Sequence, residues 1–306
     1  MKVLITDMVD PLLIEGLTEL GYQPDYQPNI NLYDVAECIH NYVGIIVTTK
    51  IALDSALIQR AEKLKFIARL GSGTDHIDTE AALTKNIRLI TTPEANAGSV
   101  GEHAVGMIIH LLHNFSTSHD AVKRGIFDSN SFRVQELSEL TVGIIGYGNT
   151  GSAFAKRLQG FDTEVIGFGK YRDSFDQYCK KVSLQELQKR AHILGIHLPL
   201  TKETRNLITA SYLSRFERLW FVINTSRGNI LNLHAVLDMV NKESLQGAGL
   251  DVIDNEEVET YTQEEKEFYH LLSIHPRILI TPHIAGKSHS TRKQHAKILL
   301  KKLKSF

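Results

Sequence analysis

A ten-residue stretch in the middle of the chain restricts the possible fold more than any other feature. Residues 142–151 read Val-Gly-Ile-Ile-Gly-Tyr-Gly-Asn-Thr-Gly, an apolar run that ends in the spacing G-x-G-x-x-G. The pattern predicts a buried parallel strand, a tight turn at Gly146 and a helix. Gly148 would let a ligand approach the backbone, and Gly151 would let the helix pack closely on the strand. The helix N-terminus then offers free N–H groups and partial positive charge to phosphates.

The residues after this turn help to decide between two interpretations of the glycine pattern. A strand-to-helix turn that only packs tightly would need the same three glycines. A second apolar run at 165–168 follows the predicted helix, so the segment has the βαβ order in which the motif binds dinucleotides. This context favours a dinucleotide-binding unit.

The first hundred residues alternate between apolar strands and amphipathic helices. Strands are predicted at 3–5, 44–47, 66–68 and 89–90. Helices are predicted at 11–20, where Gly21 ends the helix, and at 54–64, where Asp54 is the N-cap. This alternation is typical of an α/β fold with a parallel sheet.

A further helix is predicted from a capping box formed by Ser99 and Glu102, and it continues to Phe115. It is apolar around much of its circumference, so two domains or a second subunit must cover it. His110 and His113 have the spacing of a helical metal pair, but zinc sites need three or four ligands and no further ligand is apparent nearby. We therefore predict no metal site, and we place a domain boundary near residue 98.

Composition narrows the classes of partner. With 306 residues, 42% hydrophobic and 23% charged, the chain is long enough for two domains with a core in each. A formal net charge of -1 gives no reason to expect nucleic acid or an anionic membrane as the main partner, and no apolar run approaches transmembrane length. Cys38 and Cys179 are too few for a disulfide framework, which fits a reducing cytosol. We expect a cytoplasmic protein that binds a small molecule.

Polar residues follow four predicted strands of the second half, at 193–196, 221–223, 249–250 and 278–280. They include Arg227, Glu256 and His283. Ligands of open α/β sheets bind outside the carboxyl ends of the strands, so these side chains are candidates for function. Each one alone could be a surface residue, since the chain has 14 His.

Taken together, these segments resemble the D-isomer-specific 2-hydroxyacid dehydrogenases, especially short members similar to phosphoglycerate dehydrogenase. The resemblance covers nearly the whole chain. The segments that carry it are the loop Gly-Ser-Gly-Thr-Asp at 71–75, residues 96–103, the glycine turn, residues 197–201 with Thr204 and Arg205, and residues 224–228, 247–252 and 282–286.

The resemblance implies roles for individual residues. Arg227, Glu256 and His283 match the catalytic Arg, Glu and His of the family. The implied cofactor is NAD, with NADP as the second candidate. The resemblance and the glycine turn together lead us to predict that the residues binding it are Ser72, Gly146, Gly148, Asn149, Thr150, Gly151, Gly169, Lys170, His197, Pro199, Thr225, Ser226, Asp251 and Gly286. The residues implied to lie near the substrate are Arg69, Gly71, Gly73 and Asn96, and we add Lys50 as a candidate partner for a second anionic group.

Elementary chemistry explains why these residue types suit such a reaction. Oxidation of a 2-hydroxy acid sends a hydride from C2 to a nicotinamide and the hydroxyl proton to a base. His283 suits that base because an imidazole ring can both accept and donate a proton. Glu256 beside it would hold the ring and favour its charged form. The planar guanidinium of Arg227 matches the two oxygens of a carboxylate.

The chain departs from the family pattern at several positions. Gly169 stands where an Asp usually binds the ribose, and Lys170 and Arg172 follow it. We therefore expect NAD and NADP to be used within roughly tenfold of each other. Glu257 replaces the usual proline after the catalytic Glu, His192 stands where an Asp is common, and residues 258–273 form an acidic, helical insertion that could shift Glu256.

These inferences combine into one predicted architecture, an α/β protein of two doubly wound parallel-sheet domains. A flavodoxin-like substrate domain consists of residues 1–98 and 288–306, where the basic tail returns as a helix, and a Rossmann dinucleotide-binding domain consists of residues 99–287. We expect hydride transfer between a nicotinamide cofactor and a small D-2-hydroxy acid or 2-oxo acid, with 3-phosphoglycerate among the candidates. The alternative is an NAD(H)-sensing, non-catalytic scaffold similar to the corepressor branch of the family. The resemblance also implies a homodimer, through the apolar helix and the polar arm that follows it.

Overall fold

Short apolar strands and capped helices build two parallel sheets in the computed structural model, which describes residues 1–305. The chain divides into one unit of residues 1–96 plus the residues from Lys287 onward, and a second unit of residues 97–286. These divisions lie within two residues of the predicted boundaries at 98 and 288.

The first unit has a five-stranded sheet in the order β2-β1-β3-β4-β5, and every neighbouring pair is parallel. This is the flavodoxin-like order. Its elements are β1 Lys2–Ile5, α1 Pro11–Glu19, β2 Gln23–Tyr26, α2 Leu32–Cys38, β3 Gly44–Val47, α3 Ser55–Arg60, β4 Phe66–Arg69, α4 Thr79–Thr84 and β5 Arg88–Thr91, with the returning C-terminal helix Thr291–Lys304. The predicted return of the tail is confirmed, since this helix packs on α1.

Local sequence explains most of these helices, with one correction. The side chain of Asp10 accepts a hydrogen bond from Leu12 N, and Pro11 occupies the first helical position of α1. Asp54 is the N-cap of α3, as predicted. However, α3 ends at Arg60 and not at 64, and the Lys85 amine satisfies three carbonyl oxygens at its end, those of Ile58, Gln59 and Ala61.

The second unit has a seven-stranded parallel sheet in the order β12-β11-β10-β9-β6-β7-β8. Its elements are α5 Glu94–Leu112, α6 Phe115–Lys123, β6 Thr141–Ile145, α7 Asn149–Leu158, β7 Glu164–Phe168, β8 Lys180–Lys181, α8 Leu184–Arg190, β9 Ile193–Ile196, α9 Ala210–Leu213, β10 Phe221–Asn224, α10 Leu233–Asn241, β11 Gly247–Leu250, α11 Gln263–Ile274 and β12 Ile278–Ile280. The C-terminal helix of the first unit is α12. The strand order reverses between β6 and β9, which is the switch point at which a dinucleotide-binding fold takes its ligand.

The start of α5 corrects the predicted capping box. The helix begins at Glu94, so Ser99 lies inside it and caps nothing. The Ser99 hydroxyl instead donates to the carbonyl oxygen of Ala285 (2.6 Å), and the Glu102 carboxylate pairs with Arg157 (2.9 Å). The spacing alone could not exclude these distant partners.

Each sheet is covered on both faces by apolar side chains, which is the condition for a stable parallel sheet. In the second unit, Val142 and Ile144 of β6 face a cluster with Met107, Ile108 and Phe154, whereas Ile145 faces the opposite cluster. Within residues 1–305, no helix is both long and apolar enough to cross a membrane. The predicted fold class of two doubly wound α/β domains is confirmed.

Candidate active site

The glycine turn between β6 and α7 has the geometry that the sequence predicts. Gly146 adopts a φ of 91°, which a residue with a side chain rarely adopts. A Cβ atom at Gly151 would overlap the carbonyl oxygen of Gly146, so α7 can pack this closely only on a glycine. A Cβ at Gly148 would meet no atom within 4 Å. The second glycine therefore borders open space, where a ligand can reach the backbone.

The N-terminus of α7 faces this open space without a competing cap. Gly148 is its N-cap and provides no side-chain hydrogen bond, and the first turn carries no acidic residue. Asn149 is exposed there, and the Thr150 hydroxyl lies 3.2 Å from Nδ1 of His197. The free N–H groups and the helix dipole suit an anionic group such as a pyrophosphate.

His197, directly after β9, is a buried neutral histidine. Burial lowers its pKa to about 4, so the ring is uncharged at neutral pH. Within residues 1–305 its Nε2 has no hydrogen-bond partner, and neither has the buried Oγ1 of Thr225 after β10. Such orphaned buried polar atoms are rare in folded proteins, and a ligand in this crevice would satisfy them. The residues at this edge of the sheet therefore fit a bound dinucleotide.

The loops after β9 and β10 are joined by local hydrogen bonds. The Ser226 hydroxyl donates to the carbonyl oxygen of Leu198. Pro199 is exposed, and its carbonyl oxygen accepts from the Thr204 hydroxyl (2.6 Å). Ser226 and Pro199, both predicted to bind the cofactor, therefore belong to one connected rim of the crevice.

Gly169 lies directly after β7, where the family usually has an Asp. A Cβ at this position would lie 3.3 Å from the ring of Phe175, so a side chain here requires that ring to shift by a few tenths of an ångström. The amine of Lys170 contacts the Glu203 carboxylate at 3.3 Å, and the Tyr171 hydroxyl donates to the same oxygen at 3.3 Å. Glu203 lies in the loop after β9, and sequence reasoning missed it, because an exposed Glu in a loop has no pattern that distinguishes it.

The predicted catalytic pair is brought together at the carboxyl edge of the second sheet. Nδ1 of His283 lies 2.8 Å from one Glu256 carboxylate oxygen and 3.0 Å from the other. Both side chains are partly exposed, at 43% for His283 and 44% for Glu256. The insertion after Glu256 therefore does not displace its carboxylate from the histidine. Because Nδ1 faces the carboxylate, Nε2 is left as the nitrogen that can exchange a proton with a ligand.

Asp251 holds the loop that carries His283. The Asp251 carboxylate is 1% exposed and accepts hydrogen bonds from the Thr281 hydroxyl (2.6 Å), Ile284 N (2.9 Å) and Ala285 N (2.8 Å). His283 itself has a φ of 52°, a left-handed conformation that costs about 1–2 kcal/mol for a residue with a side chain. The three bonds to Asp251 offset this cost. We therefore infer that Asp251 shapes the loop, while its predicted contact with a cofactor stays a prediction.

His103 of α5 belongs to the same network, a connection that sequence reasoning missed. Its Nε2 lies 2.9 Å from the Thr281 hydroxyl and 3.5 Å from the Asp251 carboxylate. The sequence separates His103 from these residues by more than a hundred positions, so only the packing of α5 on the sheet reveals the contact.

Arg227 follows β10 in a turn that the buried side chain of Asn224 holds. Asn224 donates to the Arg227 carbonyl oxygen (3.1 Å) and accepts from Ser226 N (3.1 Å). A Cβ at Gly228 would overlap the backbone of Ile253, so this turn packs directly on the segment that leads to Glu256. Arg227 and the pair of Glu256 and His283 therefore belong to adjoining loops of one sheet edge. Gly286 ends the last of these loops, half-buried.

The remaining predicted residues lie in the first unit, at the carboxyl ends of β3 and β4 and at the start of α5. Arg69 donates to the carbonyl oxygen of Leu70 (2.6 Å), and the Lys50 amine donates to those of Thr6 (3.3 Å) and Pro28 (2.7 Å). Gly71 is buried, and its N–H donates to the Thr92 hydroxyl (3.0 Å), which in turn lies 2.6 Å from Nδ1 of His295. Ser72 is exposed, Gly73 is half-buried, and the buried Oδ1 of Asn96 has no partner among residues 1–305.

Comparisons with known proteins agree on one family. The family model for the NAD binding domain of D-isomer specific 2-hydroxyacid dehydrogenases matches residues 105–285. A D-3-phosphoglycerate dehydrogenase of Methanocaldococcus jannaschii is 28% identical, over 99% of this chain and 57% of that protein. A hydroxypyruvate reductase of Thermotoga maritima is 31% identical, over 83% of this chain and 81% of that protein.

A solved structure is similar over the whole length. The crystal structure of an Aquifex aeolicus D-lactate dehydrogenase with NAD and lactic acid superimposes with a TM-score of 0.85, at 26% identity, and covers 100% of this chain and 95% of that one. This chain spans little more than half the length of the D-3-phosphoglycerate dehydrogenase. These names give no support to the alternative of a non-catalytic scaffold.

Proposed function

Because this chain belongs to the D-isomer-specific 2-hydroxyacid dehydrogenase family, we propose that it transfers a hydride between a nicotinamide cofactor and a small D-2-hydroxy acid or the matching 2-oxo acid. The contact between His283 and Glu256 at 2.8 Å, beside the turn that carries Arg227, is the main observation behind this proposal. This pair favours catalysis over a scaffold that only binds a dinucleotide, and turnover of a 2-oxo acid separates the two.

In this proposal, His283, Glu256 and Arg227 of the second unit each have a separate role in the reaction. Bound NAD would accept the hydride from C2 of the hydroxy acid. His283 would take the hydroxyl proton on Nε2, or return it when the 2-oxo acid is reduced. Glu256 would orient the imidazole ring through Nδ1 and stabilise its positive charge. Arg227 would bind the substrate carboxylate with two parallel hydrogen bonds.

The proposed substrate class is a short 2-oxo or 2-hydroxy carboxylic acid. The relatives are named for phosphoglycerate, hydroxypyruvate and lactate, which share a carboxylate next to the reacting carbon. We propose Arg69 and Lys50 as the partners of a phosphate if the substrate carries one. Both side chains already donate to carbonyl oxygens, Lys50 to those of Thr6 and Pro28 and Arg69 to that of Leu70.

NAD is the proposed cofactor, and NADP is the weaker one. The sequence predicts a relaxed choice, since Gly169 offers no carboxylate and Lys170 could meet a 2′-phosphate. The Glu203 carboxylate lies 3.3 Å from the Lys170 amine and favours NAD instead, because it offsets the charge of this amine and would repel the 2′-phosphate of NADP.

A homodimer is the proposed assembly. The helix α6 and the residues after it expose large apolar side chains: Phe115, Val122 and Ile126 are each 50% exposed, and Phe127 is 91% exposed. An apolar patch of this kind typically marks an interaction surface. Light scattering at micromolar concentration should give twice the chain mass, and a monomer that is stable and active would contradict the proposal.

The two free cysteines support a reducing compartment such as the cytoplasm.

The decisive experiment is a panel of 2-oxo acids with NADH, followed by the nicotinamide absorbance. Pyruvate, glyoxylate, hydroxypyruvate and 3-phosphohydroxypyruvate cover the proposed class. His283→Asn should lower kcat at least about a hundredfold on the best substrate. Arg227→Ala should lower it similarly and also raise KM for the 2-oxo acid. His40→Asn, at an exposed histidine, is the matched control. Unchanged rates in both active-site variants would overturn the assignment.

A further inference from the structure

The acidic insertion after Glu256 is an ordered part of the second unit. It folds as a short 3-10 helix, Val258–Thr260, followed by α11, Gln263–Ile274. Thr262 and Glu265 form a capping box at the start of α11, because each side chain accepts a hydrogen bond from the backbone of the other residue. The first turn of the helix is therefore fixed, and Glu265 in it accepts a hydrogen bond from the Asn255 side chain at 3.2 Å. We call residues 254–257 the Glu256 turn.

Tyr269 ties α11 to the Glu256 turn. The side chain is 9% exposed and belongs to the apolar core beneath the sheet. Its hydroxyl donates to the Asp254 carboxylate at 2.6 Å and accepts the N–H of Asn255 at 3.2 Å. One buried hydroxyl thus holds both residues that precede Glu256.

A second tyrosine and the Asn255 side chain complete the attachment. The Tyr261 ring stacks on Tyr269 with centroids 4.6 Å apart, and the Tyr261 hydroxyl donates to the Asn255 carbonyl oxygen at 2.9 Å. The Asn255 side chain accepts from Glu257 N at 3.1 Å and donates to Glu265 at 3.2 Å. The residues on both sides of Glu256 are therefore fixed by groups of the insertion.

Glu256 depends on this support because its own contact is too exposed to order it. With 44% of the Glu256 side chain exposed, the contact with His283 is weakened by solvent and costs side-chain entropy. A proline after the glutamate would restrict the backbone here, but this chain has Glu257 instead. The hydrogen bonds of Tyr269 and Tyr261 supply the missing restriction.

We propose that Tyr269, supported by Tyr261, is a positioning residue that holds Glu256 against His283. The proposal rests on the proposed function, in which Glu256 and His283 act together. It gives the insertion a task in catalysis, although none of its residues needs to touch the substrate.

Several charged groups surround the turn and must be considered in any pH measurement. Burial first, and then the negative charges of Asp254, Glu265, Glu256 and Glu259, raise the pKa of the Tyr261 hydroxyl. His283 faces the turn from the loop after β12. Burial also raises the pKa of the Tyr269 hydroxyl, so both tyrosines stay neutral near neutral pH.

The test compares Tyr269→Phe with Tyr212→Phe. Both substitutions remove a buried tyrosine hydroxyl and keep the ring, but the Tyr212 hydroxyl has no hydrogen-bond partner among residues 1–305. We expect Tyr269→Phe to lower kcat about tenfold or more, with little change in KM, because it removes the hydrogen bond to the Asp254 carboxylate as well as the one from Asn255 N. Tyr212→Phe should leave kcat unchanged, and Tyr261→Phe should show a smaller loss than Tyr269→Phe.

The pH profile of kcat/KM separates positioning from a loss of stability. A fraction of unfolded enzyme scales the whole profile and leaves its midpoint in place. A displaced Glu256 should instead shift the midpoint in the same direction as Glu256→Gln does, by a smaller amount. An unchanged midpoint in an active Tyr269→Phe enzyme would overturn the proposal.

Amide hydrogen exchange gives a readout that needs no activity. Without the Tyr269 hydroxyl, the Asn255 N–H loses its acceptor, so a peptide that spans 254–257 should exchange about three- to tenfold faster. Tyr212→Phe should not change that peptide. If the wild-type protein reduces no 2-oxo acid, the proposed function fails, and the exchange data alone then judge the positioning. Unchanged exchange would overturn it.

Discussion

Asp251→Asn should loosen the loop that carries His283. The buried carboxylate accepts three hydrogen bonds, from Thr281 and Ile284 on one oxygen and from Ala285 on the other. An asparagine keeps one oxygen and puts an amide group in place of the other. If the amide nitrogen replaces the oxygen that faces Ala285, one of the three bonds is lost. If it replaces the other oxygen, Thr281 and Ile284 both lose their acceptor. In either orientation the amide group places an N–H against a backbone N–H.

The expected magnitude follows from this count. A hydrogen bond to a charged group contributes about 1.5–3 kcal/mol, so local opening of the loop should become about ten- to a hundredfold more frequent. His283 would then leave its left-handed conformation more often, since the bonds that offset the cost of that conformation are weakened. We expect kcat/KM for the 2-oxo acid to fall by a similar factor.

The assay combines amide exchange of a peptide that spans 281–286 with steady-state kinetics. Asp238→Asn is the matched control, because Asp238 pairs with Lys242 (2.8 Å) on the exposed surface of α10. A pair of that kind contributes about 0.5 kcal/mol or less, which corresponds to about a twofold effect. If Asp251→Asn changes exchange and kcat/KM no more than Asp238→Asn does, the carboxylate does not hold the loop.

Three further predictions follow from other contacts. Gly148→Ala should weaken NAD binding in calorimetry and leave thermal stability unchanged, whereas Gly151→Ala should lower the unfolding midpoint, because its Cβ would overlap a carbonyl oxygen; equal midpoints would contradict this. Glu203→Gln should raise kcat/KM with NADPH relative to NADH about threefold, in line with one exposed charge pair, and no change would mean that this carboxylate does not repel the 2′-phosphate. Burial, and then the charge of Arg69, lowers the pKa of His295 to about 4, so its contribution to stability is complete above about 6.5 and is lost as pH falls toward 4. The unfolding midpoint should therefore drop more between pH 7 and 5 in the wild type than in His295→Gln, and equal drops would refute the argument.

The sequence by itself determined the elements that depend on local pattern. An apolar run followed by a glycine turn specifies the β6 and α7 unit, because residues with a side chain rarely adopt the φ of Gly146 and a Cβ at Gly151 would overlap a carbonyl oxygen. The N-cap at Asp54 and the C-terminal helix were also predictable, because a cap depends on residues within one turn and a helix depends on its own periodicity. Strands such as Gln23–Tyr26 were missed because their residues do not form an apolar run.

The residue types of the candidate site and the pairing of Glu256 with His283 were predictable, whereas most of the other hydrogen-bond partners were not. The chain order places Arg227, Glu256 and His283 after successive strands, and parallel strands end at one edge, so their proximity follows from topology. The start of α5 at Glu94 was not predictable from the sequence. Ser99 has the spacing of an N-cap, but its hydroxyl donates to the distant carbonyl oxygen of Ala285.

Only the tertiary structure decided how the site residues are held. Asp251 holds the His283 loop, Glu203 pairs with Lys170, and Tyr269 attaches the insertion to the Glu256 turn. A hydroxyl or a carboxylate can bond to any polar group that packing brings within about 3 Å, and its own sequence neighbours do not specify which one. The partner is selected when helices and strands pack, since a buried polar atom without a partner costs free energy.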